Sequence, residues 1–342
     1  MFVLENVPLS GYSTMRVGGN ARYLSEISST ADITQAVTWA EKHQLPILMV
    51  GTGSNVIWSD EGFEGLVLIN RIMGYQTSSF DDATSYLTVG SGENWDNVVE
   101  RSVQAGLSGI EQLSLIPGST GATPVQNVGA YGREISDVLM TLQAYDLHEK
   151  KFITMTASDC GFGYRTSRFK TTDRDRFLIT SLSMILSKRP PIQPFYHTIQ
   201  MYLKENDITE YSAQNIRKAV IAIRQAKLPD PAHVSNCGSF FQNPIIPRSQ
   251  LTQLVADYPD VAYWDVDDYN VKLSAAWLIE AAGFKGMHDK DTGMATWPAQ
   301  PLVFINESAH SASQVLAFRD KVASGIKQRF NVELQQEPEL LP

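Results

Sequence analysis

The sequence predicts an α+β fold divided into more than one domain, on three observations. Short apolar runs of strand length recur along the chain, such as Leu66-Val67-Leu68-Ile69 and Leu302-Val303-Phe304-Ile305. A few stretches carry a helical period instead, most clearly Ile216, Ala219, Val220 and Ile223 at i, i+3, i+4, i+7. The chain has 342 residues, and at roughly 100–200 residues per domain that length predicts two or three domains.

The elements follow in order. Ile33, Ala36, Val37 and Ala40 share one helical face, with Ser29 or Thr30 as the cap and Leu45-Pro46 as the stop. Ile47-Leu48-Met49-Val50 reads as a buried strand running into Gly51-Thr52-Gly53-Ser54-Asn55. From about 64 to 190, strands at Glu64–Asn70, Tyr86–Val89, Leu139–Tyr145 and Phe177–Leu186 alternate with one clear helix, Trp95 to Gln104. A Gly-rich region, 117–132, lies among them, and Pro190-Pro191 marks a boundary. Beyond it the helix around 216–223 is ended by Leu228-Pro229. Ala275–Ala282 follows with Ser274 as N-cap and Gly283 as C-cap, then a strand at Leu302–Asn306. Val315, Phe318, Val322 and Ile326 mark a last helix, which completes an α+β module at about 215–330.

Composition excludes several classes. Hydrophobic residues at 43% and charged residues at 19% are ordinary for a soluble globular protein. Lys and Arg number 28 against 37 Asp and Glu, a net −9, which counts against duplex binding because phosphate neutralisation needs clustered cations. Two cysteines, Cys160 and Cys237, are too few for a disulfide framework or a CxxC metal site, and no metal is expected. The apolar runs are far shorter than the roughly 20 residues of a membrane span. The start, MFVLENVPLSGYS, lacks the pattern of a signal peptide, so a cytoplasmic protein with no membrane or obligate protein partner is expected.

Five segments could carry chemistry. Gly51-Thr52-Gly53-Ser54-Asn55-Val56 fails as a Rossmann fingerprint, and no P-loop exists. With Pro117-Gly118-Ser119-Thr120-Gly121-Ala122-Thr123-Pro124 and Gln126-Asn127-Val128-Gly129-Ala130-Tyr131-Gly132, however, it makes loops dense in backbone and hydroxyl donors and free of carboxylates. Such loops can cradle a pyrophosphate, or can be tight turns between strands. Residues 165–176 hold Arg165, Arg168, Lys170, Arg174 and Arg176 against Asp173 and Asp175, a local +3; an Arg in a Gly/aromatic setting suits bidentate anion recognition. Asn236-Cys237-Gly238-Ser239-Phe240-Phe241-Gln242-Asn243-Pro244 offers Ser239 as nucleophile, proton donor or turn hydroxyl, and Cys237 reads as a buried, inert thiol. Leu334-Gln335-Gln336-Glu337-Pro338-Glu339 places carboxylates near the end of the chain.

Read together with Ile116-Pro117-Gly118, Phe162-Gly163-Tyr164-Arg165-x-Ser167-x-Phe169-Lys170, Lys227-Leu228-Pro229-Asp230-Pro231 and Gly238-Ser239-Phe240-Phe241-x-Asn243-Pro244, these motifs, in this order, resemble the UDP-N-acetylenolpyruvoylglucosamine reductase family over nearly the whole chain. The resemblance implies an FAD-binding domain of the vanillyl-alcohol-oxidase (PCMH) type in two subdomains, 1–62 and 63–190. It also implies a substrate-binding α+β domain at 215–330 and a closing segment, 331–342, that returns to the active site. The implied chemistry belongs to peptidoglycan synthesis: NADPH reduces non-covalent FAD, and hydride then passes to C3 of an enolpyruvyl group before C2 is protonated.

By position within the motifs, Arg165 would hold the enolpyruvyl carboxylate, Ser239 would give the proton, and Glu337 would support Arg165 or the enol. FAD would be held by Gly51, Thr52, Gly53, Ser54 and Asn55, by Pro117, Gly118, Ser119, Gly121, Ala122 and Thr123, and by Gln126, Asn127, Gly129, Ala130 and Tyr131. Tyr164, Tyr196, Lys227, Asn243 and Gln300 would contact substrate, with Tyr196 on the mobile loop of the family's longer subtype. Tyr202 competes with Tyr196, and Glu339 with Glu337. An FAD-linked sugar or alcohol oxidase on the same platform is the alternative enzyme; a nucleotide-sugar or flavin binder is the alternative without catalysis.

Overall fold

A computed structural model describes all 342 residues. The chain separates into two compact units, one of Met1–Val7, Ala21–Thr52 and Phe63–Ala226, the other of Pro8–Asn20, Gly53–Gly62 and Lys227–Pro342.

The larger unit holds two sheets. In the first, the strand order is Leu4–Pro8, Asn20–Ile27, Phe63–Asn70, Ile47–Val50, and the two neighbours of Phe63–Asn70 run parallel to it. A central strand covered on both faces needs a continuous apolar run, and Leu66 to Ile69 are all fully buried. Helix α1, Thr30–His43, starts at Ser29, whose hydroxyl accepts the Asp32 N–H at 3.1 Å, and stops at Gln44 in the left-handed region. Its Ile33, Ala36, Val37 and Ala40 pack with Leu66 and Leu68.

The second sheet is antiparallel, ordered Lys151–Thr156, Leu139–Asp146, Phe177–Ser187, Thr84–Gly90, Tyr75–Ser79. Helix α2, Trp95–Gln104, is capped by Asn94 and buries Trp95, Val98 and Val99 with Leu87, Leu142 and Leu182. Helices α3, His197–Glu205, and α4, Ala213–Lys227, share a small core of Phe195, Ile199, Leu203, Ile216, Ala219, Val220 and Ile223. The α+β module expected from 215 would open inside α4. That helix packs in the larger unit instead, because its apolar face closes on α3 and its Arg217 forks onto Asp96 of α2 at 2.6 and 3.0 Å. Pro190-Pro191 therefore does not end this unit.

The smaller unit has a four-stranded sheet ordered Asn236–Ser239, Val303–Asn306, Met294–Thr296, His288–Asp289, and a three-stranded one ordered Ile245–Pro247, Asn270–Leu273, Tyr263–Asp265. Helices α5, Arg248–Asp257, α6, Ala275–Ala281, and α7, Ala312–Phe330, surround a core of Phe240, Phe241, Leu278, Phe304, Phe318 and Val322. Each such fully buried side chain contributes about 1.5–3 kcal/mol. Met15, Val17 and Ile57 belong to the same core, and Val56–Trp58 pairs in parallel with Glu339–Leu341. Asp60 accepts the Ala312 N–H at 2.6 Å and the Ser313 N–H at 2.9 Å at the start of α7. These contacts draw 8–20 and 53–62 out of the expected 1–62 subdomain and into the unit with the C-terminal residues. No helix is long and apolar enough to cross a membrane.

Candidate active site

The glycine loops are built by close approach. The strand Ile47–Val50 delivers Gly51, where a Cβ would stand 2.0 Å from Ser119 Oγ, so loops 51–52 and 117–123 touch only because residue 51 has no side chain. Ser119 and Thr123 are buried, and Ala122 closes the turn exposed. The Thr123 hydroxyl donates to Thr120 O at 2.7 Å, so it braces the turn. Pro117 and Gly118 follow Leu115, which sits at φ 58° with its N–H on Asp96 at 2.5 Å. Thr52 ends the larger unit's segment, and Gly53, Ser54 and Asn55 continue in the smaller unit. There Gly53 O accepts the Thr14 N–H, and Asn55 O accepts the Glu339 N–H at 2.9 Å.

Arg165 lies in the larger unit, third in a tight turn closed by Gly163 N–H to Thr166 O at 3.0 Å. Its φ is 54°, a region non-glycine residues rarely adopt. Its Nη2 donates to Gly129 O at 2.9 Å, and its Cζ lies 5.4 Å from the centre of the Tyr164 ring. Gly129 and Ala130 form a small hairpin with Arg133 and Glu134 around Tyr131, after half-buried Gln126 and buried Asn127. Every polar group of the Asn127 side chain is engaged within the unit, on Glu134, Gly163 O and the Ser136 N–H.

The neighbouring cations have partners of their own. Arg168 pairs with Asp173 at 2.8 Å, and Arg176 with Asp146 at 2.7 Å and Asp173 at 3.1 Å. Much of the local positive charge is therefore structural.

Burial pushes the Tyr131 hydroxyl's pKa up, against the opposing pull of the Arg224 guanidinium that hydrogen-bonds it. The Tyr131 ring meets Tyr196 edge to face at 5.8 Å. Tyr196 caps α3 and is 43% exposed, whereas Tyr202 packs on the core between α3 and α4.

Ser239 and Glu337 come together in the smaller unit. Ser239 ends the strand Asn236–Ser239, where a register shift coincides with Gly238 at φ 72°. Nothing lies within 4 Å of a Cβ built on Gly238, so this glycine serves the conformation of a bulge that re-aims the next side chain. Phe240 donates to Leu302 O at 2.7 Å and accepts the Glu337 N–H at 2.9 Å, while Phe241 bridges Gln336. Phe240, Phe241 and Phe304 stack beneath.

Asn243 Oδ1 accepts the Ala275 N–H at 3.0 Å. Gln300 stands in a turn from Trp297, and Lys227 is the exposed last residue of α4. Burial pushes the Cys237 thiol up to about 12, which makes it the inert residue expected.

Asp96 and Glu134, both outside the sequence reading, touch these segments. The only signal for Glu134 is local: Glu134 and Asp137, three apart, form a capping box around a short helical turn. Asp96 reads as an ordinary first-turn acid of α2.

Residues 230–341 match the family model described as the UDP-N-acetylenolpyruvoylglucosamine reductase C-terminal domain, and residues 21–149 match an FAD-binding domain model. The UDP-N-acetylenolpyruvoylglucosamine reductase of Ralstonia nicotianae is 39% identical over 334 residues, 97% of each chain. That of Pseudomonas aeruginosa is 37% identical over 337 residues, 98% of each. The crystal structure of UDP-N-acetylenolpyruvylglucosamine reductase from Thermus caldophilus covers 100% of both chains with a TM-score of 0.69 at 22% identity, a likeness of fold. The α+β expectation, with an FAD-binding domain and a C-terminal domain of this type, therefore holds, and the chain belongs to the UDP-N-acetylenolpyruvoylglucosamine reductase family.

Proposed function

We propose that this protein uses NADPH and non-covalent FAD to reduce the enolpyruvyl ether of UDP-N-acetylglucosamine to UDP-N-acetylmuramate, a step of peptidoglycan precursor synthesis in the cytoplasm. The observation that carries the reading is the 39% identity to a reductase of that name across 97% of both chains. The loops suit a flavin dinucleotide: they hold no carboxylate, and a Cβ at Gly51 or Gly121 would fill the space where the chain closes on Ser119 or Ser91. No His or Cys stands in them for covalent attachment.

FAD, when bound, supplies the hydride relay from NADPH to C3 of the enolpyruvyl group. Arg165 holds the enolpyruvyl carboxylate with its planar fork and stabilises the charge that develops as hydride arrives. Ser239 Oγ–H gives the proton to C2. An alcohol is a weak acid, so this transfer works because the enolate is far more basic, and water then restores the hydroxyl. Glu337 supports Arg165 or the enol. Lys227, Tyr196 and the Asn243 amide contact the substrate's nucleotide or diphosphate, and Tyr164 and Gln300 complete the substrate contacts. The ligands are small anions, met by local donors in an acidic chain.

Purified protein is expected to be yellow, to bleach anaerobically with NADPH, and to regain its colour on addition of the enolpyruvyl substrate. Protein that cannot take up FAD sinks the proposal. Reoxidation by O₂ at a rate indifferent to that substrate sinks it in favour of an oxidase.

A further inference from the structure

Arg165 bonds the Gly129 carbonyl, and a carboxylate outside the proposed catalytic set packs on the same glycine. A Cβ on Gly129 would sit 3.2 Å from Arg165 Nη1 and 2.8 Å from Glu134 Cγ, so the two side chains converge on the face of Gly129. Buried Asn127 joins the same elements from the other side. Its Nδ2 donates to Glu134 Oε2 at 2.6 Å and to Gly163 O at 3.2 Å, two residues before Arg165, and its Oδ1 accepts the Ser136 N–H at 3.2 Å.

Glu134 is itself held by the turn that follows it. The Asp137 N–H donates to the Glu134 carboxylate, and the Glu134 N–H donates to Asp137 Oδ2 at 3.0 Å. A third link, Ser167 Oγ to Val125 O at 2.5 Å, closes the hairpin and the turn into one frame.

That frame must offset a local strain. A left-handed conformation is strained for a residue other than Gly or Asn, and Arg165 occupies it at φ 54°. Such conformations persist where surrounding bonds over-determine them. The Asn127 bond to Gly163 O fixes the carbonyl at the start of the turn, and the Arg165 bond to Gly129 O fixes the guanidinium. Glu134 sets both, since it orients Asn127 and packs beside Gly129.

We infer that Glu134 and Asn127 are positioning residues for Arg165, which aim its fork at the substrate carboxylate without touching substrate. The inference rests on the role proposed above for Arg165. It gives Asn127 a task different from direct side-chain contact with FAD, because that side chain is engaged in the frame.

The test follows the two half-reactions separately by stopped-flow absorbance of the flavin in holoenzyme. Glu134→Ala is expected to leave FAD retention and bleaching by NADPH unchanged. Reoxidation by UDP-N-acetylglucosamine enolpyruvate should slow about 10–100-fold, with a higher half-saturating concentration, the scale of a misplacement near 1 Å. Glu134→Gln should recover most of this, because its amide oxygen still accepts from Asn127. Asn127→Ala should reproduce the loss if Glu134→Ala does not fold. Reoxidation within twofold of wild type in Glu134→Ala and Asn127→Ala, or equal slowing of both half-reactions, overturns the inference when Arg165→Lys is impaired. If Arg165→Lys reoxidises normally, the assigned role of Arg165 fails and takes the inference with it.

Discussion

The Glu337 amide donates to the Phe240 carbonyl across 2.9 Å, one residue beyond Ser239. The chain's closing segment is therefore laid against the strand end that carries the hydroxyl, with the Phe241–Gln336 bridge continuing the contact. A backbone ladder holds position more tightly than two flexible side chains could, and the Phe240, Phe241 and Phe304 rings beneath it leave the strand little freedom.

The proton-donor role proposed for Ser239 makes Ser239→Ala selective. Removing Oγ leaves the glycine bulge and the phenylalanine core intact, so flavin content and bleaching by NADPH should match wild type. Reoxidation by the enolpyruvyl substrate should slow about 10²–10⁴-fold, as for loss of a general acid. Stopped-flow absorbance of the flavin measures both phases, and an unchanged second phase removes Ser239 from the mechanism.

Arg165→Lys keeps the positive charge and discards the planar fork, which presents two parallel donors to a carboxylate. Lysine cannot reproduce at once the bond to Gly129 O and a two-point grip on substrate. We expect reoxidation by substrate to fall at least about tenfold, with a raised KM for the enolpyruvyl compound and an unaltered KM for NADPH. Steady-state kinetics with each substrate varied in turn decides the point.

What a single sequence reveals here follows how local the determinants are. Helices α1 and α2 are legible because their caps, Ser29 and Asn94, and their apolar faces lie within one stretch of chain. Tyr75–Ser79 is missed because it is an almost wholly polar, exposed edge strand with no alternation to read. The unit boundaries are missed for a different reason. Nothing near Val56 announces that it will pair with Glu339, nor does Arg217 name Asp96 as its partner. Among site residues, the donor-rich loops and Arg165 stand out by composition. Which of their side chains serve the fold is a tertiary fact, as Thr123 and Asn127 illustrate.

Asp96 ties that tertiary structure to the glycine-rich loop that follows Leu115. Burial opposes its ionisation, but the bonds from Arg217 and from the Leu115 N–H prevail and hold its carboxyl below the usual range. A carboxyl depressed in the folded state stabilises the protein above its unfolded pKa and loses that contribution as pH falls through the folded value. Asp96→Asn strands the buried Arg217 cation, at a cost of about 3 kcal/mol near pH 7. The gap to wild type should shrink as the solution is acidified below pH ~4. Urea unfolding of holoprotein at neutral and acid pH measures both, and a gap independent of pH contradicts the linkage. Because Asp96 also holds Leu115 two residues before Pro117, the variant should release FAD more readily on dilution.

The last strand offers a test of how Glu337 is held. Leu341 is 7% exposed opposite Trp58, its carbonyl accepts the Ser59 N–H at 2.8 Å, and the Glu339 N–H reaches Asn55 O at 2.9 Å. A two-stranded pair has little cooperative support of its own, so burial of Leu341 is what keeps the tail docked. Leu341→Ala should cost about 2 kcal/mol, the low end for a buried leucine because the site lies at an edge. The loosened tail should then be cut by protease before the rest of the chain. If Glu337 acts from this docked segment, reoxidation by the enolpyruvyl substrate should slow while bleaching by NADPH does not. A variant whose tail is cut readily but whose reoxidation is unchanged would show that the carboxylate needs no docked strand to work.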